Sequence, residues 1–363
     1  MAGEEFAKLL SKLAQKYDTP IGSMESLGDG VQSISTRNTA LDAITGVGGL
    51  PLGRTIELFG PPSSGKTTLA LQVAAEAQSK GIVVAYADFE QAMDRAYAQA
   101  LGVDIENIQF FQPNTFEDGA DISLELIKSG YVGLLIFDSV AAMTPAVLLE
   151  TETAKQTVAL QARLMADFTK KLNPLLRENL CTAVFLNHVR DKFGVQTRPG
   201  MPVATTTPGG MALKFYASMR IEFKARGNVL EEAEHNPLSV DRIKDVTASK
   251  TLAKVVKNKV GPPHREALLR MYHGKGFSEA YSVLQIFLAH KLVLKKPGGI
   301  FSVKEAELEA DWMDRTEASG CYVKGEANLL RALEEDAEVL GRWSAAAVRV
   351  LAGDTVKARE TKE

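Results

Sequence analysis

A phosphate-binding loop in its full local context constrains the fold of this 363-residue chain more than any other feature. The loop reads GPPSSGKT at Gly60–Thr67, after an apolar strand pattern and before a helical one. Gly60 and Gly65 allow backbone N–H groups to turn toward a phosphate, and the following helix adds the partial positive charge of its N-terminus. Lys66 supplies a charge for the β- and γ-phosphates, and Thr67 supplies a hydroxyl for Mg²⁺. The segment predicts an α/β fold that binds a nucleoside triphosphate.

The chain alternates between apolar strand patterns and helical patterns up to about residue 270. Continuous apolar strands between helices indicate a sheet with a parallel centre that is covered on both faces. The alternation therefore predicts an α/β core over residues 33–272. The strand candidates are residues 82–90, 133–139, 181–189, 218–223 and 252–259, and the helical candidates are residues 92–101 and 160–178.

Shorter regions flank this core. Residues 1–32 contain an amphipathic helix, whose apolar stripe includes Phe6 and Leu9, and a linker. Because this helix is too short to form a core, we expect it to pack on its own chain or on a neighbouring copy. Short helices and a Gly-containing piece predict a small α/β domain at 273–352, followed by a flexible tail at 353–363.

Composition excludes several classes of protein. The formal net charge is −3, so a nucleic-acid surface has to be local. The sequence has no apolar run long enough to span a membrane, and its charged, amphipathic first 17 residues are unlike a signal peptide. Cys181 and Cys321 lie in separate contexts without a Cys/His cluster, which favours a reducing, cytoplasmic setting over a disulfide or zinc framework.

Carboxylates follow two of the apolar strand candidates. Asp138 ends the pattern GLLIFD, where the Mg²⁺-directed acid of a P-loop enzyme belongs. Glu90 ends IVVAYADFE, where it can orient a water against the γ-phosphate as general base, and Asp88 on the same strand face is the alternative. Asp94 and Tyr97, at the next helix start, are candidates for contact with the base, although Tyr97 is equally typical of a packed helix aromatic.

Two polar segments interrupt the alternation, at about residues 150–157 and 190–210. Both follow strands that carry candidate site residues, and long irregular connections inside a compact domain are commonly functional. Lys257 and Lys259 lie on one face of a late strand candidate. By themselves they are typical of a solvated strand edge protected by lysine.

Six stretches of the sequence, covering most of residues 5–290, match one known family in order. The segments LKFYAS and KVVKNK are far more specific than a phosphate loop, and on them the chain resembles the bacterial RecA family. Some phage-encoded relatives resemble it in having a histidine at the position of His188, so a phage or plasmid origin is an open interpretation. The stretches are residues 34–54, the phosphate loop, 88–108, 137–145, 205–218 and 254–260. The resemblance implies a RecA-like P-loop ATPase core with an N-terminal oligomerisation helix and a small C-terminal α/β domain.

The resemblance also implies an activity. RecA-like proteins are DNA-dependent ATPases that polymerise on single-stranded DNA as helical filaments, pair that strand with a homologous duplex and exchange strands. A ring-forming RecA-like motor is the first alternative, and the missing zinc motif and large extra domains disfavour it. A regulatory paralogue that exchanges no strands is the second alternative, and the joint presence of Glu90, Lys257 and Lys259 disfavours it.

Carried over by position, the resemblance implies a role for each candidate residue. Glu90 resembles the water-activating carboxylate. Lys257 and Lys259 resemble a pair that reaches a neighbour's ATP phosphates, which makes hydrolysis conditional on assembly. Asp94 and Tyr97 resemble the adenine contacts. The implied ligands of ATP and Mg²⁺ are Gly60, Pro61, Pro62, Ser63, Ser64, Gly65, Lys66, Thr67, Thr68, Asp138 and His188, with Thr67 and Asp138 on the metal.

The two irregular segments resemble the family's DNA-binding loops, at about residues 150–158 and 189–210. Charges, hydroxyls and backbone N–H groups hold a DNA strand without reading its sequence, as a homology search requires. Phe215 resembles the residue that links the second loop to the neighbouring ATP site. The implied DNA contacts are Arg163, Arg190, Lys192, Thr205, Thr206, Thr207, Gly209 and Gly210.

The sequence departs from the family pattern close to these sites. His188 stands after Asn187, where most bacterial members have a glutamine that senses the γ-phosphate. Because imidazole titrates near neutrality, we expect pH-sensitive coupling between ATP and DNA binding. Pro208 is an apparent insertion before Gly209. The mixed-charge C-terminal end predicts weaker self-inhibition of duplex-DNA binding than an acidic tail produces.

Overall fold

The computed structural model describes residues 2–17, 30–150, 157–191, 205–232, 244–296, 298, 300–303 and 322–352. Within these ranges the chain forms two compact units, Met1–Gln32 and Ser33–Glu363. The first unit contains helix α1 (Ala2–Tyr17), which the amphipathic pattern predicts. The second unit contains the phosphate loop and all other candidate site residues.

The strands and helices of the second unit are numbered in chain order. The strands are β1 (Ser33–Ile34), β2 (Leu50–Pro51), β3 (Thr55–Gly60), β4 (Val83–Asp88), β5 (Gln109–Phe111), β6 (Val132–Asp138), β7 (Thr182–His188), β8 (Arg190–Asp191), β9 (Thr205–Thr206), β10 (Met219–Glu232), β11 (Lys244–Asn258), β12 (Glu266–Tyr272), β13 (Gly276–Phe277), β14 (Val293–Lys296), β15 (Ile300–Val303) and β16 (Tyr322–Lys324). The helices are α2 (Thr39–Thr45), α3 (Lys66–Ser79), α4 (Arg95–Ala100), α5 (Phe116–Lys128), α6 (Val147–Glu150), α7 (Thr157–Glu178), α8 (Ala212–Tyr216), α9 (Glu279–Ala289), α10 (Glu326–Glu335) and α11 (Ala337–Leu351).

A large mixed sheet forms the centre of this unit. In the described part of the chain it has nine strands, in the order β13-β12-β11-β10-β3-β7-β6-β4-β5. The strands from β10 to β5 run parallel, whereas β11, β12 and β13 extend the sheet in antiparallel register. The predicted α/β class with a mostly parallel centre is confirmed.

The central strands are apolar at consecutive positions because both faces of the sheet are covered. In β6, Leu134 and Ile136 belong to a core that includes α3 and α9, while Leu135 and Phe137 belong to a core on the other face with α5 and α7. Phe137 stacks on Phe185 of β7 with ring centroids 4.3 Å apart. Alternate side chains therefore enter opposite cores. Because the strands from β10 to β5 run parallel, their carboxyl ends lie along one edge of the sheet.

Several element ends differ from the prediction. Strand β4 ends at Asp88 instead of residue 90, because the N–H groups of Phe89 and Glu90 both donate to the carbonyl of Asp138. Strands β10 and β11 are much longer than predicted, since they pair with each other beyond the end of β3. Their outer halves carry charged and glycine residues, so an apolar pattern did not reveal them.

The sheet and its core continue past the predicted boundary between residues 272 and 273. Strand β13 pairs with β12, and Trp343 of α11 packs against Phe287 of α9 in the same core as the central strands. Residues 353–363, the predicted tail, lie outside the described residues. The separate C-terminal domain stays a prediction. None of the helices in the described ranges combines the length and the apolar character that a membrane span requires.

Candidate active site

The phosphate loop closes around glycines that admit no side chain. A Cβ atom at Gly60 would lie 2.4 Å from the carbonyl oxygen of Phe223, and one at Gly65 would lie 2.5 Å from Cζ of Phe277. Gly65 also has a positive φ of 94° and directly precedes α3. The first N–H groups of α3 lack intrahelical acceptors, so they face the loop as an anion site.

Lys66 is buried at the centre of this loop. Its Nζ donates to the carbonyls of Pro61 at 2.8 Å and Gly60 at 3.3 Å. Burial lowers the pKa of Lys66 to about 8, and the nearby charges of Asp138 and Glu90 partly oppose that shift. Neutral carbonyls are weak partners for an ammonium group, so the amine is free to exchange them for phosphate oxygens.

Asp138 lies at the carboxyl end of β6, next to the start of α3. Its Oδ2 atom accepts hydrogen bonds from Thr67 Oγ1 at 2.9 Å and from Tyr86 Oη at 2.7 Å. Burial raises the pKa of this carboxyl group, and the charges of Glu90 and Asp88 raise it further, while the two hydroxyl donors oppose the rise. A bound cation would relieve this electrostatic cost.

Glu90 and Asp88, the two candidates for the general base, have different surroundings. Asp88 is 2% exposed, and its Oδ2 accepts from the N–H of Met93 and from Gln112 Nε2 at 3.0 Å. Glu90 lines the cavity above the phosphate loop, where its Oε1 contacts Ser139 Oγ and His188 Nε2, the latter at 3.1 Å. Asp88 organises the local chain, whereas Glu90 faces the cavity.

This cavity has a volume of about 570 Å³ and brings together residues from distant parts of the sequence. Tyr97 lines it, and its hydroxyl lies 2.7 Å from Thr68 Oγ1. Asp94 caps α4 by accepting from the N–H groups of Ala96 and Tyr97, so its carboxylate positions the tyrosine. The predicted loop residues lining the cavity are Pro62, Ser63, Ser64, Gly65, Lys66, Thr67 and Thr68, together with His188.

Sequence reasoning missed the opposite wall of the cavity. His273 and Gly274, in the turn after β12, line it together with Asn228 and Ser249 from the long strands β10 and β11. No local motif marks these residues. The antiparallel half of the sheet brings them beside the phosphate loop, and the order of strands in that half could not be read from the sequence.

Lys257 and Lys259 lie at the C-terminus of α8, not among the residues that line the cavity. Lys257 Nζ donates to the carbonyls of Lys214 and Phe215 at 2.7 and 2.8 Å, and Lys259 Nζ donates to Phe215 at 3.3 Å. Burial lowers the pKa of Lys257, and the charges of Lys259 and Arg220 lower it further. Both amines cap a helix whose Phe215 side chain is 66% exposed.

The candidate DNA contacts border the two irregular segments. Arg163 on α7 and Arg190 on β8 are exposed. Thr206 accepts from Lys214 Nζ at 2.9 Å, whereas Thr207 is 5% exposed. Gly209 and Gly210 both have positive φ, and a Cβ atom at Gly210 would lie 2.7 Å from Ala162 Cβ. Thr205 begins β9, and Lys192 and most of both segments lie outside the described residues.

A second group of polar side chains lies beside the cavity, and no local sequence motif marks it. We call it the Glu57 cluster, and it consists of Glu57 on β3, Asn187 on β7 and Arg220 on β10. Glu57 is fully buried, forms an ion pair with Arg220 Nε through Oε2, and accepts from Asn187 Nδ2 at 2.8 Å through Oε1. The guanidinium lies 4.5 Å from the ring centroid of Phe59. The only sequence signal was a glutamate inside the apolar strand TIELFG.

These features define a P-loop ATPase in which a mixed sheet carries the phosphate loop and the cavity beside it. The sequence profile of the RecA N-terminal domain matches residues 7–278. The RecA proteins of Rubrobacter xylanophilus and Staphylococcus carnosus are each 42% identical to this chain, over 291 and 278 residues that cover 79% and 76% of it and 80% and 74% of their own lengths. That of Borrelia hermsii is 43% identical over 304 residues, 82% of each chain.

The chain belongs to the RecA family. It is a DNA-dependent ATPase that acts as a recombinase in DNA recombination and repair, which confirms the function predicted from the sequence.

Proposed function

We propose that ATP binds with Mg²⁺ at Gly60–Thr68, that Glu90 activates the hydrolytic water, and that copies of the chain assemble as a helical filament on single-stranded DNA in the cytoplasm. The filament then pairs that strand with a homologous duplex and exchanges strands. The observation that carries this proposal is the cavity itself, which Glu90 lines together with Lys66 and Thr67 of the phosphate loop.

The oxygen donors beside the loop fit a Mg²⁺ ion. Thr67 Oγ1 and Asp138 Oδ2 lie 2.9 Å apart at the start of α3, and Mg²⁺ prefers oxygen ligands supplied by a hydroxyl, a carboxylate and substrate phosphates. Burial and the nearby acids raise the pKa of Asp138, and a bound cation would offset that cost. When bound, the ion neutralises charge on the phosphates.

The residues of this chain then divide the work on ATP. The phosphates replace the carbonyls of Gly60 and Pro61 as partners of Lys66, which keeps the ammonium close to the transferred group. Glu90 accepts the proton of the attacking water. Ser139 and His188 hold the carboxylate of Glu90 in place, since both contact its Oε1 atom.

The positive charge that completes the site comes from a neighbouring copy. Lys257 and Lys259 donate to carbonyls of α8, the helix that follows the second irregular segment and carries the exposed Phe215. A filament boundary that lays this surface over the next cavity supplies two ammonium groups to the phosphates in trans. DNA held by the loops, with Arg163 and Arg190 among its contacts, would then set the geometry of the boundary.

Electron microscopy of the protein with single-stranded DNA and a slowly hydrolysed ATP analogue tests this proposal. We expect continuous helical filaments. Closed rings would instead support a ring-forming motor, and particles that bind nucleotide without assembling would support a regulatory paralogue. Either result would contradict the recombinase filament.

A further inference from the structure

Glu57 occupies a position where a carboxylate is costly. It lies in the middle of β3, three residues before the phosphate loop, with apolar Ile56 and Leu58 on either side. Removing a charge from water costs several kcal/mol, and an ion pair with hydrogen bonds rarely does better than well-packed apolar residues. The fold alone therefore gives little reason for this residue.

The Glu57 cluster spans three adjacent strands. Glu57 stands beside Phe185 of β7 and beside Arg220 of β10 in the two parallel registers. Asn187 is two residues beyond Phe185 and so lies on the same face of the sheet. Each carboxylate oxygen of Glu57 has its own donor, Asn187 Nδ2 on Oε1 and Arg220 Nε on Oε2.

Asn187 connects this carboxylate to the second DNA loop. Its Nδ2 atom also donates to the carbonyl of Pro208 at 3.1 Å, and its Oδ1 accepts from the N–H of His188 at 2.9 Å. Both amide hydrogens are thus used. A rotated amide would direct its oxygen at the carboxylate of Glu57 and at the carbonyl of Pro208, so Glu57 fixes which way Asn187 faces.

Pro208 marks the return end of the second loop. It lies between the buried Thr207 and Gly209, whose positive φ of 83° turns the chain toward α8. His188, the residue after Asn187 in β7, contacts Oε1 of Glu90 through its Nε2 atom at 3.1 Å. Two consecutive residues of β7 therefore touch the end of the DNA loop and the general base.

Arg220 connects the same carboxylate to the surface that serves a neighbouring copy. Arg220 stands opposite Lys257 in the antiparallel register of β10 and β11. The charge of Arg220 disfavours a second cation there, and the charge of Glu57 offsets it. Glu57 thus lies between the loop anchor at Pro208 and the lysine surface at α8.

We propose that Glu57 is a positioning residue that holds the return end of the second loop to the nucleotide site through Asn187, so that DNA stimulation of hydrolysis, but not nucleotide binding, depends on it. This inference rests on the proposed function. The anchored carbonyl is that of Pro208, the apparent insertion before Gly209.

Glu57→Gln tests the inference because glutamine offers one acceptor and one donor where two acceptors are needed. Its NH₂ group then faces a donor, either on Asn187 or on Arg220. We expect the DNA-stimulated hydrolysis rate to fall about 10- to 100-fold, the range of a typical coupling between sites, with fluorescent-nucleotide affinity and the rate without DNA unchanged. The matched control is Glu266→Gln, which neutralises an exposed strand ion pair with Lys254 and should leave both rates as in wild type.

The double variant Glu57→Gln/Arg220→Gln provides a rescue. The amide oxygen of the glutamine introduced at position 220 stands the same number of bonds from the backbone as Arg220 Nε does in wild type. It can therefore accept from the NH₂ group introduced at position 57, which leaves the amide oxygen at position 57 for Asn187. We expect DNA stimulation to return to within about threefold of wild type, since the amide of Asn187 is again fixed. A residue that merely stabilised the fold by its charge would not be rescued in this way.

If Glu57→Gln does not fold, Asn187→Ser tests the same link from the other side. It removes both donors of the amide and leaves the ion pair of Glu57 with Arg220 in place, and the same loss of DNA stimulation is expected. Wild-type stimulation in the tested variant, or equal loss in the double variant, overturns the inference alone. A wild-type protein whose hydrolysis ignores single-stranded DNA overturns the proposed function and this inference with it.

Discussion

Two buried carboxylates in one sheet, separated by strand β7, have opposite surroundings. Asp138 receives hydrogen bonds from the hydroxyls of Thr67 and Tyr86 and lies near other acids, so its pKa is raised. Glu57 has a cation on one oxygen and an amide on the other. A positive charge placed beside Asp138 would therefore be favourable, whereas the charge of Glu57 is already neutralised by Arg220. The carboxylate of Asp138 can therefore take up a cation as a new partner, whereas the carboxylate of Glu57 already has a cation and an amide as partners.

The largest effect is expected in the cavity. Glu90→Gln should lower the rate of ATP hydrolysis about 10²- to 10⁴-fold, because the amide cannot accept a proton from water. Nucleotide binding and the unfolding temperature should stay as in wild type, since Glu90 is partly exposed. Steady-state hydrolysis with single-stranded DNA measures this, with Glu106→Gln on an exposed turn as control. Hydrolysis at the wild-type rate would show that another group, such as Asp88, is the base.

Breaking the ion pair of the Glu57 cluster should lower the stability of the fold. Glu57→Leu leaves the guanidinium of Arg220 buried without its partner, so the free energy of unfolding should fall by about 3–5 kcal/mol. Removing both charges in Glu57→Leu/Arg220→Met should recover most of that loss. Urea unfolding followed by circular dichroism measures both. Glu266→Leu, at an exposed pair, should change the value by no more than ~1 kcal/mol, and an equal loss there would erase the contrast.

Removing the charge of Asp138 should change the stability in the opposite direction. In Asp138→Asn the amide oxygen can still accept from Thr67 and Tyr86, which both bond one oxygen in wild type. The variant should unfold about 2 °C above wild type near pH 7 without nucleotide, because a buried charge near other acids is gone. It should also lose hydrolysis.

The pH dependence of that gain follows from the direction of the shift. The folded pKa of Asp138 lies above its unfolded value, so wild type gains most from this group below the unfolded pKa and loses stability as pH rises toward the folded pKa. The difference in unfolding temperature should therefore be absent near pH 4 and grow above it. A constant difference from pH 4 to 7 would place its origin elsewhere.

The same contrast explains what the sequence could predict. The phosphate loop, Asp138 and Glu90 belong to short local patterns at strand ends, so their place in the fold followed from the motif and from the parallel order of strands. Glu57 has partners 130 and 163 positions away in the sequence, Asn187 and Arg220, and no local spacing connects them. His273 reaches the cavity only because the antiparallel strands fold back beside the phosphate loop. Motifs mark where ligands bind, and strand order decides what surrounds them.

The claim that the cavity is completed by a neighbouring copy is tested most directly by mixing two inactive variants. Under the proposed function, Glu90→Gln lacks the base, and Lys257→Ala/Lys259→Ala lacks the charges supplied in trans. In mixed filaments a boundary with the base from one copy and the lysines from the next is intact. An equal mixture should therefore hydrolyse ATP with single-stranded DNA at about a quarter of the wild-type rate, the random frequency of such head-to-tail boundaries. A mixture no more active than the two separate variants would contradict the shared site.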